Sequence, residues 1–291
     1  MAAMVIAEGA HGVNKLHVAR SPARSPADRG GGGLVVAFPG DRIDSAAVPP
    51  EVVRLQDPRL LAGLLARKFP GRSVAVVTPS RLEAGCACFD HFLEKLTLTG
   101  EPLGYHGAGF KASQQLVSLL RAAQLWPAAD DADAAPPPAV AVVGFSKGGI
   151  VLNQVTAPAA CFQVRSYASS TVARCAAAYS FSNAALLQLL AEVAALEESE
   201  AAGAAAPPSA PLLRALRQVH YLDAGLNCRG AYLTDPGVMR LLGGWCRRRP
   251  GALRVALHGT PRQWGERSPS SRSHTPPRTR NPQLQIKRLD G

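Results

Sequence analysis

The sequence predicts an α/β fold, a mostly parallel sheet flanked by helices. Three observations carry that. Short runs of apolar and β-branched residues recur at 34–38 (LVVAF), 73–77 (SVAVV) and 140–143 (VAVV), as in strands buried on both faces. Helix-compatible stretches separate them, and a strand, a helix and a second strand at this spacing form a βαβ unit. The third is Gly144-Phe145-Ser146-Lys147-Gly148, which follows the 140–143 run directly and precedes an apolar helical face at Ile150, Val151, Leu152 and Val155.

That last stretch organises the chain. A Gly-x-Ser-x-Gly between strand and helix is the nucleophile elbow of the α/β-hydrolase type, with Gly144 and Gly148 as the elbow glycines because a side chain at either would crowd the turn. A glycine-rich strand-to-helix turn in another α/β fold is the alternative.

In chain order, residues 1–33 read as a disordered leader ending in Gly30–Gly33, with 16–19 as a short edge strand inside it. Residues 34–264 read as one domain. Its first strand, 34–38, is stopped by Pro39-Gly40-Asp41. In an α/β hydrolase this loop lends a backbone N–H to the oxyanion hole, and since proline has none, the donor is Gly40, Asp41 or a neighbour. A plain Pro-Gly turn reads equally well. Helix 57–69 opens on Asp57 as N-cap with Pro58 behind it, aligns Leu60, Leu61, Leu64 and Leu65, and stops before Pro70-Gly71. Strand 73–77 follows. The segment 89–96 is a helix or a compact loop, in which the adjacent Asp90 and His91 point apart and make a poor catalytic pair. Residues 113–126 form an amphipathic helix with Leu116, Leu119, Leu120 and Leu125 inward, and 127–138 is a solvated linker. Past the elbow, 158–183 has no clean period, whether a lid insertion or a spurious insert. Residues 184–200 are an alanine- and leucine-rich helix. Strands close at 219–222, with Asp223 at the carboxyl end, and at 253–257, before His258. Residues 265–291 are Ser-, Pro- and Arg-rich and read as a disordered basic tail, with the sheet's last strand missing.

The formal charge of +11 belongs mostly to the carboxyl-terminal stretch that includes that tail: from Trp245 onward 11 basic residues face two acids, a net of +9. With no aromatic interleaving and no reading module, nucleic-acid binding is not expected. No apolar run is long enough to span a bilayer. The six cysteines, with only Cys86 and Cys88 close together, suggest free thiols, no metal site and no cofactor.

A serine nucleophile needs a base held by a carboxylate, and in this fold the chain order is Ser, Asp or Glu, His. Ser146 takes the first place. Asp223 takes the second, with Asp235 as a substitute. For the third, His258 stands at a strand end and His274 in the tail. His258 comes one strand early and reads either as base or as a structural histidine.

LVVAFPGD, ARKFPGRSVAVV, Cys88-Phe89-Asp90-His91-Phe92, VVGFSKGGIVLNQ and HYLDAGLNCRGAYLTDPGVM together resemble the family of the human chromosome 2 open reading frame 69 protein, which has plant members. The resemblance runs in patches from Leu34 to Trp264. It implies an α/β-hydrolase-like fold with Ser146 as nucleophile, the Lys147 N–H as oxyanion donor, Asp223 as acid and a mitochondrial location. The sequence by itself leaves mitochondrial and cytoplasmic open and shows no secretory signal. Family members continue through a further helix and a last strand with a histidine near the carboxyl end, where this sequence has its Ser-Pro-Arg tail. The expected substrate is a small ester, thioester or lipid-like acyl compound; protein partners are not indicated. The alternatives are a non-catalytic binding or scaffold protein of the same fold, and an incomplete isoform or gene model.

Overall fold

The computed structural model describes residues 2–21, 32–42, 50–98, 100, 107–128, 136–145, 185–222, 253–259 and 284–288. The elements in order are β1 (Ala3–Gly9), β2 (Gly12–Ala19), β3 (Leu34–Phe38), α1 (Pro50–Gln56), α2 (Pro58–Lys68), β4 (Ser73–Val77), β5 (Arg81–Glu83), β6 (Cys86–Cys88), α3 (Lys111–Ala122), β7 (Val140–Phe145), α4 (Ala185–Ala201), α5 (Ala210–Ala215), β8 (Leu216–Leu222), β9 (Arg254–Gly259) and β10 (Leu284–Arg288). Eight of the strands form one sheet in the order β1-β2-β4-β3-β7-β8-β9-β10. Only β2 runs against the rest: it pairs antiparallel with β1 and β4, and every later pairing is parallel. Strands β5 and β6 form a separate hairpin.

Alternate residues of the central strands supply two cores. Val35, Ala37, Val74, Val76, Ala141 and Val143 meet Leu61, Ala62 and Leu65 of α2 on one face. Leu34, Val36, Phe38, Ala75, Val77, Val140 and Val142 face α3, α4 and α5 on the other. Every residue of β3 is buried, as the uninterrupted apolar run requires. The start of α2 is as expected: the Asp57 carboxylate accepts N–H bonds from Arg59 at 2.8 Å and Leu60 at 3.4 Å, and a proline opens the first turn. Leu61 and Leu65 are buried, whereas Leu60 is 52% exposed. Leu116, Leu119 and Leu120 of α3 are wholly buried.

Both chain ends correct the expected organisation. Residues 1–33 are not all leader, because β1 and β2 form a hairpin at the edge of the sheet, and 16–19 belongs to an interior strand paired on both sides. The hairpin is docked by a buried polar cluster. The Gln115 amide nitrogen donates to Gly12 O (2.7 Å) and Asn14 Oδ1 (2.9 Å), and its oxygen accepts from His11 N (2.7 Å). At the other end, Leu284–Arg288 pairs with β9, so the last strand is present and the sheet runs past Trp264. The hairpin β5–β6 and helices α1 and α5 were not anticipated. The expected insert 158–183 lies outside the described residues, as does most of the linker 127–138.

Candidate active site

Six neighbouring strands, β4 to β10 across the sheet, run the same way, so their carboxyl ends collect along one edge, where open α/β sheets bind ligands. The pairing fixes which ends are neighbours. Phe38, at the end of β3, lies opposite Gly144 of β7. Phe145 lies opposite Leu222 of β8, and Leu222 opposite His258 of β9. The chain therefore leaves β7 at Phe145, one residue before Ser146, and leaves β8 at Leu222, one residue before Asp223. Ser146, Lys147, Gly148 and Asp223 lie outside the described residues, as do Asp235 and His274. Gly144 is buried within β7.

The first residues after β3 are held by packing and by hydrogen bonds. Phe38 is fully buried beneath Phe89 and Phe92, packed edge to face at centroid distances of 5.7 and 5.4 Å. Beyond Pro39 and Gly40, Asp41 Oδ1 accepts the Ala87 N–H at 2.7 Å, and the Arg42 N–H donates to Gly85 O at 2.8 Å. The Arg42 amide is thereby committed to the β5–β6 hairpin. Of the expected donors, Gly40 and Asp41 stand two and three residues beyond the strand end that neighbours Gly144.

His258 is on the α2 face of the sheet. Its Nε2 is 3.1 Å from Nδ1 of His220, and the two rings stack at 5.4 Å and 20°. His220 in turn has Gln218 Oε1 3.3 Å from its Nε2 and meets the Phe69 ring edge-on at 5.5 Å. With Gln218 accepting from His220 Nε2–H, a neutral His220 presents Nδ1 as acceptor and His258 Nε2–H donates to it. The pair is a consequence of register, since His220 and His258 are diagonal neighbours on adjacent parallel strands. The only sequence signal for it was one histidine near the end of each strand.

Asp90 and His91 do point apart: Asp90 forms an ion pair with Arg81 (3.3 Å), and His91 Nδ1 is 3.1 Å from Asn14 Oδ1. Burial lowers the His91 pKa, with the Lys111 and His11 charges adding and Asp90 opposing. A cleft of about 290 Å³ beside the hairpin is walled by Arg81, Asp90, Glu94 and Leu98. Its ion-paired, charged walls do not suit an acyl chain. Tyr221 is fully buried on the opposite sheet face from His220, its hydroxyl has no hydrogen-bond partner among the described residues, and burial raises its pKa well above its ordinary 10.0. Among the described residues no group of three or more His, Cys, Asp or Glu is placed to hold a metal ion, and no helix is long and apolar enough to cross a membrane.

A large sheet with only its second strand reversed and a Gly-x-Ser-x-Gly following its fifth strand in chain order defines an α/β-hydrolase-like fold. No protein-family model matches the sequence, and no curated protein matches it. Solved structures similar to this chain include an α/β serine hydrolase without a lid from Xanthomonas campestris (10% identity, 88% of this chain and 83% of that one, TM-score 0.32). Two from Lactobacillus plantarum are a lipase/esterase (10% identity, 89% and 77%, TM-score 0.38) and a carboxylesterase (10% identity, 89% and 72%, TM-score 0.37). The fold assignment rests on the strand order.

Proposed function

We propose that this protein is a serine hydrolase acting on an ester, thioester or lipid-like acyl compound. The observation that carries the reading is the alignment of strand ends: Phe38 opposite Gly144, and Phe145 opposite Leu222. By connectivity alone the oxyanion loop, the serine and Asp223 follow three adjacent strands at one edge. In the proposed reaction Ser146 Oγ attacks the acyl carbon while its proton passes to a base. The oxyanion takes hydrogen bonds from the Lys147 N–H and from Gly40 or Asp41 N–H. Its collapse expels the alcohol or thiol, which receives the proton, and water then hydrolyses the acyl-enzyme by the same route. His258 is the proposed base, with Asp223 its acid. In that role its Nε2–H must give up His220, or its Nδ1 must face the serine. The resemblance to the chromosome 2 open reading frame 69 family supports the same serine and acid and a mitochondrial location.

A fluorophosphonate probe tests this on the full chain: covalent labelling should vanish in Ser146→Ala and fall steeply in His258→Ala. Labelling unchanged in Ser146→Ala refutes the hydrolase. The His220–His258 contact favours one second reading, a non-catalytic binding protein of the same fold, in which His258 is structural. On that reading neither variant alters labelling, and His258→Ala lowers only stability.

A further inference from the structure

We propose that the β5–β6 hairpin is a brace that sets the oxyanion loop, with Asp41 as a positioning residue acting through its carboxylate. The inference rests on the hydrolase reading. The loop from Pro39 to Arg42 is held in both directions: Asp41 Oδ1 accepts from the hairpin at Ala87 N (2.7 Å), and Arg42 N donates to the hairpin at Gly85 O (2.8 Å). Two opposed bonds on consecutive residues fix both the position and the tilt of the peptide units at 40–42. With Phe38 locked under Phe89 and Phe92, the segment is fastened at the strand end and again at Asp41 and Arg42.

The hairpin has the stiffness a brace needs. Its turn, Ala84-Gly85, has positive φ at both residues (48° and 83°), the two-residue geometry that matches strand twist. Gly85 is required twice over, because a Cβ there would stand 2.5 Å from the Arg42 carbonyl oxygen. The open end of the hairpin is closed by the Ser80 N–H donating to Cys88 O at 2.8 Å, and the hairpin is anchored where Arg81 Nη1 donates to Leu98 O at 3.0 Å while its guanidinium pairs with Asp90. A donor aimed at a developing oxyanion must be held to a fraction of an ångström, and a residue that sets its position acts on the transition state more than on substrate binding.

The test uses hydrolysis of p-nitrophenyl butyrate by the full chain, with melting temperature followed in parallel. Asp41→Ala should lower kcat by about ten- to a hundredfold with KM within about twofold, the scale of a misplaced donor. Asp41→Asn keeps an acceptor oxygen for Ala87 N and should recover most of that loss. Gly85→Ala should lower kcat in the same way without altering a loop residue, and decides the matter if Asp41→Ala does not fold. If Ser146-dependent turnover stands while Asp41→Ala and Gly85→Ala lose only melting temperature, the brace is overturned and the hydrolase survives. A wild-type chain with no Ser146-dependent labelling or turnover overturns the hydrolase reading, and the brace with it.

Discussion

Replacing Glu192 tests how the fold is held at the first turn of α3. The Glu192 side chain is wholly buried, and its two carboxylate oxygens accept the Ala112 N–H at 2.8 Å and the Ser113 N–H at 2.7 Å. The helix has no cap of its own, because Phe110 at the N-cap is left-handed (φ 50°) and makes no side-chain cap bond. A carboxylate from 80 positions away does the work of a local serine or aspartate, with the positive end of the helix dipole in its favour. Alanine would leave two buried donors unsatisfied at about 1–3 kcal/mol each, offset by no longer burying a carboxylate, for a net loss of about 3 kcal/mol. Glutamine keeps one acceptor and turns an NH2 toward the other donor, a loss of about 1–2 kcal/mol. For a chain of this size about 3 kcal/mol is roughly 6–12 °C in melting temperature. Urea unfolding followed by circular dichroism should give the order wild type, Glu192→Gln, Glu192→Ala with an unchanged denaturant slope. An alanine variant within about 0.5 kcal/mol of wild type would show that desolvation cancels both bonds, and would refute the reasoning.

Three further expectations follow from the same kind of geometry. Gln115→Ala removes three hydrogen bonds from a side chain with no exposure, and should cost about 2–4 kcal/mol while speeding amide exchange in β1 and β2 selectively. Arg20→Ala strips the Nη2 bond to Ala123 O (2.7 Å) and the weaker one to Gln124 O (3.3 Å) at the end of α3, and should cost roughly 1 kcal/mol by urea titration. Burial, with the Arg59 and Lys15 charges adding and Asp57 opposing, holds the pKa of His17 below its ordinary 6.5. The unfolded chain therefore binds more protons below pH 6.5, so this contribution is present above 6.5 and is lost as pH falls toward the folded value. His17→Gln should flatten the decline in urea midpoint between about pH 7.5 and 5.5; an unchanged slope rules the contribution out.

What could be read from the sequence follows the physics of burial. Strands covered on both faces, such as β3 and β4, are unbroken apolar runs and were legible. So was α3, whose stripe of Leu116, Leu119 and Leu120 is its packing face. The β1–β2 hairpin was missed because its buried positions are not all apolar: Asn14 and His17 are 2% and 7% exposed, while Met4 and Ile6 of β1 are 57% and 63% exposed. Both patterns invert the alternation that identifies a half-buried strand. Leu284–Arg288 was missed for a different reason, being a five-residue strand recruited by pairing with β9 from a Ser-, Pro- and Arg-rich context.

The same division runs through the candidate site. The Pro-Gly-Asp segment that ends β3 was legible because it is a local backbone requirement written in glycine and proline; Ser146 to Gly148 of the Gly-x-Ser-x-Gly lie outside the described residues. Nothing local announces that Asp41 reaches Ala87, 46 positions on, or that His258 meets His220, 38 positions back. These contacts follow from sheet register and from how a hairpin packs over the edge of the sheet. For Asp41 the difference is chemical as well as positional. A residue read as one of the peptide N–H donors uses its carboxylate as an acceptor for Ala87 N, and under the proposed hydrolase reading that bond would align the loop whether or not the Asp41 amide meets an oxyanion. The amide and carboxylate roles separate under substitution: Asp41→Asn and Asp41→Ala both retain the backbone N–H, and only the second removes the acceptor. A kcat that distinguishes them measures the side chain's part alone.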